Sequence, residues 1–185
     1  MVLSRHNHIV LLSGGVDSAT VLAMLADREA STTAVWVHYG QAAAEAEESA
    51  SRAVAAHFGV PWTGVTVARN GTYGSGEILG RNDLLVAVAA LGQRDVVIAL
   101  GIHAGTGYPD CSPSWLSAWQ RLTDLQHGGS QPIAAPLIDL NKTQVYELAE
   151  SMAVPLELTH SCEAANSPCM SCRSCLDRKA LDARA

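Results

Sequence analysis

Val10-Leu11-Leu12-Ser13-Gly14-Gly15-Val16-Asp17-Ser18 is the stretch on which the reading of this 185-residue chain turns. An apolar run, His8 to Leu12, stops abruptly at Ser-Gly-Gly, and a helical pattern begins at once in Val16, Ala19, Thr20, Ala23 and Met24. The pattern predicts a strand, a tight glycine turn and a helix N-terminus. Two glycines let the backbone turn its amides outward with no Cβ in the way. Ser13, Asp17 and Ser18 set oxygens beside the unpaired N–H groups of the helix. Such a corner binds anions, phosphate foremost.

Absences narrow the kind of phosphate. No Gly-x-x-x-x-Gly-Lys-Ser/Thr occurs, and no Gly-x-Gly-x-x-Gly follows this strand, so neither a P-loop nor a dinucleotide fold is indicated. Ser-Gly-Gly-Val-Asp-Ser instead resembles the signature of the PP-loop ATP pyrophosphatases, whose loop holds the pyrophosphate that leaves when ATP transfers AMP. The resemblance implies that Leu12, Ser13, Gly14, Gly15, Val16, Asp17 and Ser18 contact the nucleotide.

Composition sets the outer limits. Nearly half the residues are apolar (48%) and 16% are charged, which suits a compact core rather than a disordered chain. Twelve basic against 18 acidic residues leave a formal charge of −6, which argues against a polynucleotide partner. A basic cluster does stand near the C-terminus, in Arg173, Arg178, Lys179 and Arg184. No run reaches the roughly 18 to 20 apolar residues of a membrane helix, and Met1 to Asn7 has no secretory h-region. The expected setting is cytoplasmic, with no membrane contact.

Beyond the first helix, which is expected to run to about Glu29, Thr32 to Tyr39 reads as a buried strand, rich in β-branched and aromatic residues. Ala42 to Phe58 reads as a helix stopped by Gly59 and Pro61, and Trp62 to Ala68 as a third strand. Arg69 to Gly80 is a glycine-rich loop. Arg81-Asn82-Asp83 opens a helix whose nearly continuous apolar stretch, Leu84 to Leu91, predicts burial over much of its circumference. Asp95 to Leu100 is a fourth strand, followed by a long loop, Gly101 to Pro113. The next helix places Trp115, Leu116, Trp119, Leu122 and Leu125 on one face. Gln131 to Leu137 is a fifth strand that its prolines confine to an edge or shorten, and Asn141 to Met152 is the last long helix.

This alternation predicts an α/β fold: a doubly wound, mostly parallel five-stranded sheet, with residues 1–154 forming the main domain and 155–185 a C-terminal tail packed on it. Ligands in such a sheet lie beyond the carboxyl ends of the strands, so the loops at Ser13, His38, Gly101 and Leu137 share one rim.

Two further patterns carry chemistry. Cys162-x6-Cys169-x2-Cys172-x2-Cys175 offers four thiolates at spacings that let one turn present three sulfurs while the first reaches across a loop. The expected occupant is a structural zinc ion, with an iron–sulfur cluster the next candidate. Gly107-Tyr108-Pro109-Asp110-Cys111 follows the fourth strand on the ligand rim, where a rigid turn bearing Tyr and Asp makes a substrate wall; Cys111 by itself reads as a small buried residue.

Taken together, SGGVDS, HYGQ at 38–41, GRN at 80–82, GYPDC at 107–111, PL-x-x-LNK at 136–142 and the terminal CxxCxxC resemble the 7-cyano-7-deazaguanine synthases, in that family's order and over nearly the whole chain. The resemblance implies a PP-loop ATP-dependent ligase with ATP and Mg²⁺ as well as the structural Zn²⁺. The carboxylate of 7-carboxy-7-deazaguanine is adenylated, ammonia displaces AMP to give an amide, and a second adenylation yields the nitrile. It implies Ser13, Asp17, Ser18, Arg81 and Lys142 in catalysis, His38, Tyr39 and Gln41 near the adenosine, Tyr108 and Asp110 in the deazaguanine pocket, and a homodimer.

Departures from the family pattern are concentrated on the acceptor side. Ala42-Ala43 stand where the family has an Arg-His pair, the segment Ile102-His103-Ala104-Gly105-Thr106 is shortened and lacks an acidic residue and a serine, and the stretch before GRN is abbreviated. These motivate a competing reading, a deazaguanine ligase that joins the activated carboxylate to a peptide or protein amine. An RNA-thiolating PP-loop enzyme and a non-catalytic ATP or AMP sensor are the remaining alternatives.

Overall fold

The computed structural model describes residues 6–26, 31–67 and 71–183. Within them, β1 (Asn7–Leu11) is the middle strand of a five-stranded sheet of order β3-β2-β1-β4-β5, where β2 is Thr32–His38, β3 Trp62–Thr66, β4 Val96–Leu100 and β5 Ile133–Ala134. Every pairing is parallel, with Leu11 opposite both Val35 and Leu100. The chain order reverses at β1, so the crevice beyond the ends of β1 and β4 is the topological switch point of the sheet. The Ser-Gly-Gly turn opens into that crevice.

Six helices among the described residues cover the two faces: α1 (Val16–Ala26), α2 (Ala44–His57), α3 (Arg81–Ala90), α4 (Pro113–His127), α5 (Lys142–Ser151) and α6 (Arg173–Asp182). Successive strand residues point to opposite faces, and the core divides accordingly. Val10, Leu12, Ala34 and Ala99 pack with α1, α2 and α5, while Ile9, Leu11, Val37, Ile98 and Leu100 pack with α3 and the first turns of α4. Leu22 and Leu25 of α1 are fully buried, each contributing on the order of 2 kcal/mol by leaving water. The tail helix α6 rests on α5, and its Leu181 enters the first of these clusters.

The expected ends of the first helix at Glu29 and the third strand at Ala68 lie outside the described residues, as do Arg69 and Arg184. The fifth strand is both at the edge and trimmed to two residues. The long segment after β4 is not plain loop, since it carries two 3-10 turns, Ala104–Thr106 and Pro109–Cys111.

α3 is covered over much of its circumference, as its apolar run predicts: Val86 and Ala89 are buried, Leu84, Leu85, Val88 and Ala90 pack partly buried on the second cluster, and Ala87 faces outward. One helix face differs from expectation. On α4 the apolar row splits: Trp115, Leu116 and Trp119 pack on the core, but Leu122 and Leu125 are exposed. Its polar side turns to the sheet edge because the outer N–H of Ile133 needs an acceptor, which Gln120 Oε1 provides at 2.8 Å.

Candidate functional site

The turn after β1 is shaped by what its glycines exclude. Gly14 has φ +83°, and a Cβ there would meet Ser51 N at 2.7 Å and Glu47 O at 2.8 Å, both backbone atoms of α2. A side chain at Gly101, just past β4, would lie 2.6 Å from Ser18 N at the head of α1. The turn therefore packs on α2, and the end of β4 on the start of α1, only because these two positions lack a side chain. Hydroxyls finish the corner: Ser18 Oγ donates to Gly15 O at 3.0 Å and lies 3.1 Å from Ser13 Oγ, which accepts from Gly15 N at 3.4 Å.

Charge at this corner comes from three elements. Asp17, in the first turn of α1, accepts from Lys142 Nζ at 2.7 and 2.9 Å. Lys142 opens α5, which Asn141 caps with a reciprocal capping box: Gln144 N donates to Asn141 Oδ1 at 3.0 Å and Asn141 N to Gln144 Oε1 at 2.9 Å. His103 Nε2 stands 3.7 Å from the second Asp17 oxygen. Burial pushes the Asp17 carboxyl up, but His103 and Lys142 outweigh it and hold the group below its ordinary value. Asp17 is therefore an anion, flanked by donors.

From this corner a cleft of about 330 Å³ extends between the ends of β1, β2 and β4, the start of α3 and the tail. Its wall includes Leu12, Ser13, Gly15, Val16, Asp17, Ser18, Tyr39, Gln41, Arg81, Tyr108 and Lys142. Gly14, His38 and Asp110 are not among the lining residues. Gly14 is pressed on α2 instead, and His38 stacks on Trp36 at 5.8 Å. Asp110 Oδ2 accepts from Asn82 N at 3.4 Å and so meets a free amide at the start of α3. Gln41 is fully engaged: its Oε1 accepts from Tyr39 N, and its Nε2 donates to Val37 O and to Glu47 Oε2.

Glu47, Glu163, His160 and His103 also line the cleft, and sequence reading did not single them out as site residues. Burial, then Glu47, pushes the Tyr39 phenol up to about 12 against the pull of Arg81, so the hydroxyl is a neutral donor. Burial likewise raises the Cys111 thiol, and its Sγ donates to Asp110 Oδ1 at 3.7 Å. A protonated, occupied thiol is a poor nucleophile. The arrangement suits holding anions and neutralising their charge.

The tail meets the loop directly. His160 N donates to Gly14 O at 2.9 Å, and two residues on Cys162 joins Cys169, Cys172 and Cys175, whose four Sγ atoms lie within 4.8 Å of one another. Cys169 and Cys175 are 4.0 Å apart. One tetrahedral ion with metal–sulfur bonds of about 2.3 Å sets its sulfurs about 3.8 Å apart, so the four thiols fit a single ion. Cys172 N donates to Cys169 Sγ at 3.2 Å and Cys175 N to Cys172 Sγ at 3.4 Å, orienting the sulfurs as metal ligands require. The cysteine group is a candidate metal site joined to the anion-binding turn by backbone.

With this geometry, the comparison with known proteins is decisive for family. The family model described as "Queuosine biosynthesis protein QueC" matches residues 7–78 and 77–183. The chain belongs to the QueC family. It is 33% identical to a 7-cyano-7-deazaguanine synthase of Prochlorococcus marinus (strain AS9601), covering 97% of this chain and 95% of that protein. It is 31% identical to the 7-cyano-7-deazaguanine synthase of Parasynechococcus marenigrum (strain WH8102), with 96% and 93% covered. The first alignment runs over 214 positions, more than this chain's 185 residues, so the family relative carries segments that are absent here. Among solved structures, a U34-tRNA thiolase, NcsA from Methanococcus maripaludis with its [4Fe-4S] cluster, superposes with a TM-score of 0.60 at 16% identity, over 97% of this chain and 65% of that one. That likeness shows the fold.

Proposed function

We propose that this QueC-family chain is an ATP-dependent carbon–nitrogen ligase acting in the cytoplasm on 7-carboxy-7-deazaguanine. A carboxylate oxygen of the substrate attacks the α-phosphorus of ATP, the bond to the β-phosphate oxygen breaks, and pyrophosphate leaves. Ammonia attacks the resulting acyl adenylate, AMP departs, and an amide forms. The amide oxygen then attacks a second ATP in the same way, and loss of AMP and protons leaves the nitrile. The observation that carries this reading is the anion-binding turn with Asp17 and Lys142 paired at its edge, opening onto one cleft in a chain whose curated relatives are 7-cyano-7-deazaguanine synthases.

In this reading the amides and hydroxyls from Ser13 to Ser18 hold the departing pyrophosphate, where donors aimed at developing charge lower the barrier most. Lys142 and Arg81 neutralise phosphate oxygens. Tyr39, protonated, donates to the adenosine or its phosphate, and Tyr108 flanks the deazaguanine. Mg²⁺ carried by the phosphates supplies further charge neutralisation. For the cysteine group the close sulfurs favour one Zn²⁺ over a four-iron cube, which binds each thiolate to a different iron and spreads them farther apart. With four thiolates bound no position is left for a reactant, so the ion braces the tail. A homodimer is part of the proposal, with Leu91, Leu122 and Leu125 as exposed apolar surface.

The experiment is incubation of the metal-loaded protein with ATP, Mg²⁺, ammonia and 7-carboxy-7-deazaguanine, with products read by mass and AMP counted. Amide followed by nitrile, with two AMP per nitrile, is the expected result. The segments missing relative to the Prochlorococcus protein favour a second reading, transfer of the same adenylate to a peptide amine. AMP release that requires a peptide amine would replace the first reading with this one, and no AMP under either condition sinks both.

A further inference from the structure

His103 is built into the fold with unusual care for a residue outside any motif. It follows β4 and Ile102, is 2% exposed, and neither ring nitrogen has a hydrogen-bond partner among the described residues. A buried polar group left without a hydrogen bond is destabilising, so its retention calls for a reason. The surrounding chain makes room for the ring: a Cβ at Gly105 would lie 3.0 Å from its Nδ1. The 3-10 turn Ala104–Thr106 fixes its backbone, with Thr106 Oγ1 donating to His103 O at 3.2 Å and Ala104 N to Ile138 O at 3.0 Å. The ring borders the cleft and aims Nε2 at Asp17 Oδ2 from 3.7 Å, just outside hydrogen-bond range.

Lys142 already occupies both oxygens of Asp17. The ammonium has three N–H donors and directs two at Asp17, so bringing more than one of them onto phosphate oxygens takes it off the carboxylate. Once it leaves, Asp17 loses its cation in a setting where burial disfavours its charge.

We propose that His103 is a positioning residue for Asp17: when ATP draws Lys142 onto its phosphates, the imidazole Nε2–H closes on Asp17 Oδ2 and holds the carboxylate in place. The inference rests on the ATP reading above. A shift of about 1 Å turns the 3.7 Å approach into a hydrogen bond. The charged groups at this corner are Asp17 from α1 and Lys142 from α5, and the 3-10 turn after His103 adds none.

The test combines ring ¹⁵N NMR of the zinc-loaded full chain with two substitutions. The His103 ring signals are expected to move on adding Mg²⁺ and a non-hydrolysable ATP analogue, and Asp17→Asn is expected to abolish that movement. In the adenylation assay His103→Leu lowers kcat by about 10- to 100-fold, the worth of a hydrogen bond to a charged group, with the KM for ATP nearly unchanged. His103→Gln, which carries an amide N–H at similar reach, restores most of the rate. Ring signals indifferent to both the analogue and Asp17→Asn overturn the proposal, as do Leu and Gln variants equally impaired. If Asp17→Asn moves the ring while the wild-type chain neither binds the analogue nor releases AMP, the pairing is real and it is the ATP reading that has failed, which overturns the exchange.

Discussion

Lys142 Nζ lies 2.7 and 2.9 Å from the two carboxylate oxygens of Asp17, joining the first turns of two helices whose residues are 125 positions apart in the chain. The pair sits at the edge of the anion-binding turn, and its two halves are expected to respond differently to substitution. Lys142→Met should leave the fold intact and reduce AMP formation by roughly 10²–10³-fold, the usual cost of losing one preorganised charge at a developing anion. Steady-state AMP release, alongside a thermal melt, checks both halves of that statement.

Asp17 also carries a pH signature. Its carboxyl is held below the ordinary value, since His103 and Lys142 outweigh burial. Such a group adds stability that is full above the unfolded carboxylate value of about 3.9 and is lost as pH falls through the lower folded value. The advantage of wild type over Asp17→Asn, on the order of 1 kcal/mol at pH 7, should therefore shrink below about pH 4. Urea midpoints of the two proteins at pH 7, 5 and 3.5 measure it, and a constant difference would remove the pair from the stability account.

Gly14→Ala should be severe. The new Cβ must accept φ +83° and meet α2 backbone at 2.7–2.8 Å, neither of which relaxes by a side-chain rotation. The expected loss is roughly 2–4 kcal/mol, or roughly 5–15 °C in melting temperature for a chain of this size. Gly74→Ala, with nothing within 4 Å of the added carbon, serves as the comparison and should stay within about 0.5 kcal/mol.

The cysteine group predicts one metal ion per chain by elemental analysis, with no visible absorption band if that ion is zinc. Chelation should lower the melting temperature and loosen the tail, because the binding energy of a structural ion is folding energy. Limited proteolysis after chelation should cut first between residues 155 and 175. A metal-free protein with an unchanged melt and unchanged proteolysis would remove the structural role.

Asn141→Ala removes the α5 capping box and should cost about 1 kcal/mol, or roughly 2–4 °C. Since the next residue is Lys142, the same change should raise the KM for ATP more than a cap lost from α4 would. Ser112→Ala, which removes the α4 cap to Trp115 N, is the paired control in the same kinetic assay.

The anion turn and the cysteines were legible in the sequence because their chemistry is local. Two adjacent glycines flanked by serines and an aspartate specify a turn and its donors whatever surrounds them, and close cysteine spacing limits what the sulfurs can bind. The parallel sheet was legible from alternation, and the prolines foretold the short edge strand. Long-range placement was not. His103 stands between two apolar residues, and its position beside Asp17 depends on the packing of β4 against α1; the available signal was the bracket Gly101-Ile102-His103-Ala104-Gly105, two glycines each lacking a Cβ for a different neighbour. Glu47 and Glu163 sit in an alanine-rich helix and a cysteine tail, where acids are ordinarily solvated. Leu122 and Leu125 of α4 misled for the converse reason: periodicity reports which residues share a side, and only tertiary packing reports whether that side is covered.

The hydrogen bond from His160 N to Gly14 O has a consequence for the order of synthesis. Chains emerge from the ribosome amino terminus first, so the turn formed by residues 13 to 18 is synthesised well before the segment that braces it. His160, Ser161 and Cys162 border the same cleft as the turn, and they follow every strand of the sheet in the chain. A nascent chain that already holds all five strands therefore still has this cleft open on the side that the tail closes.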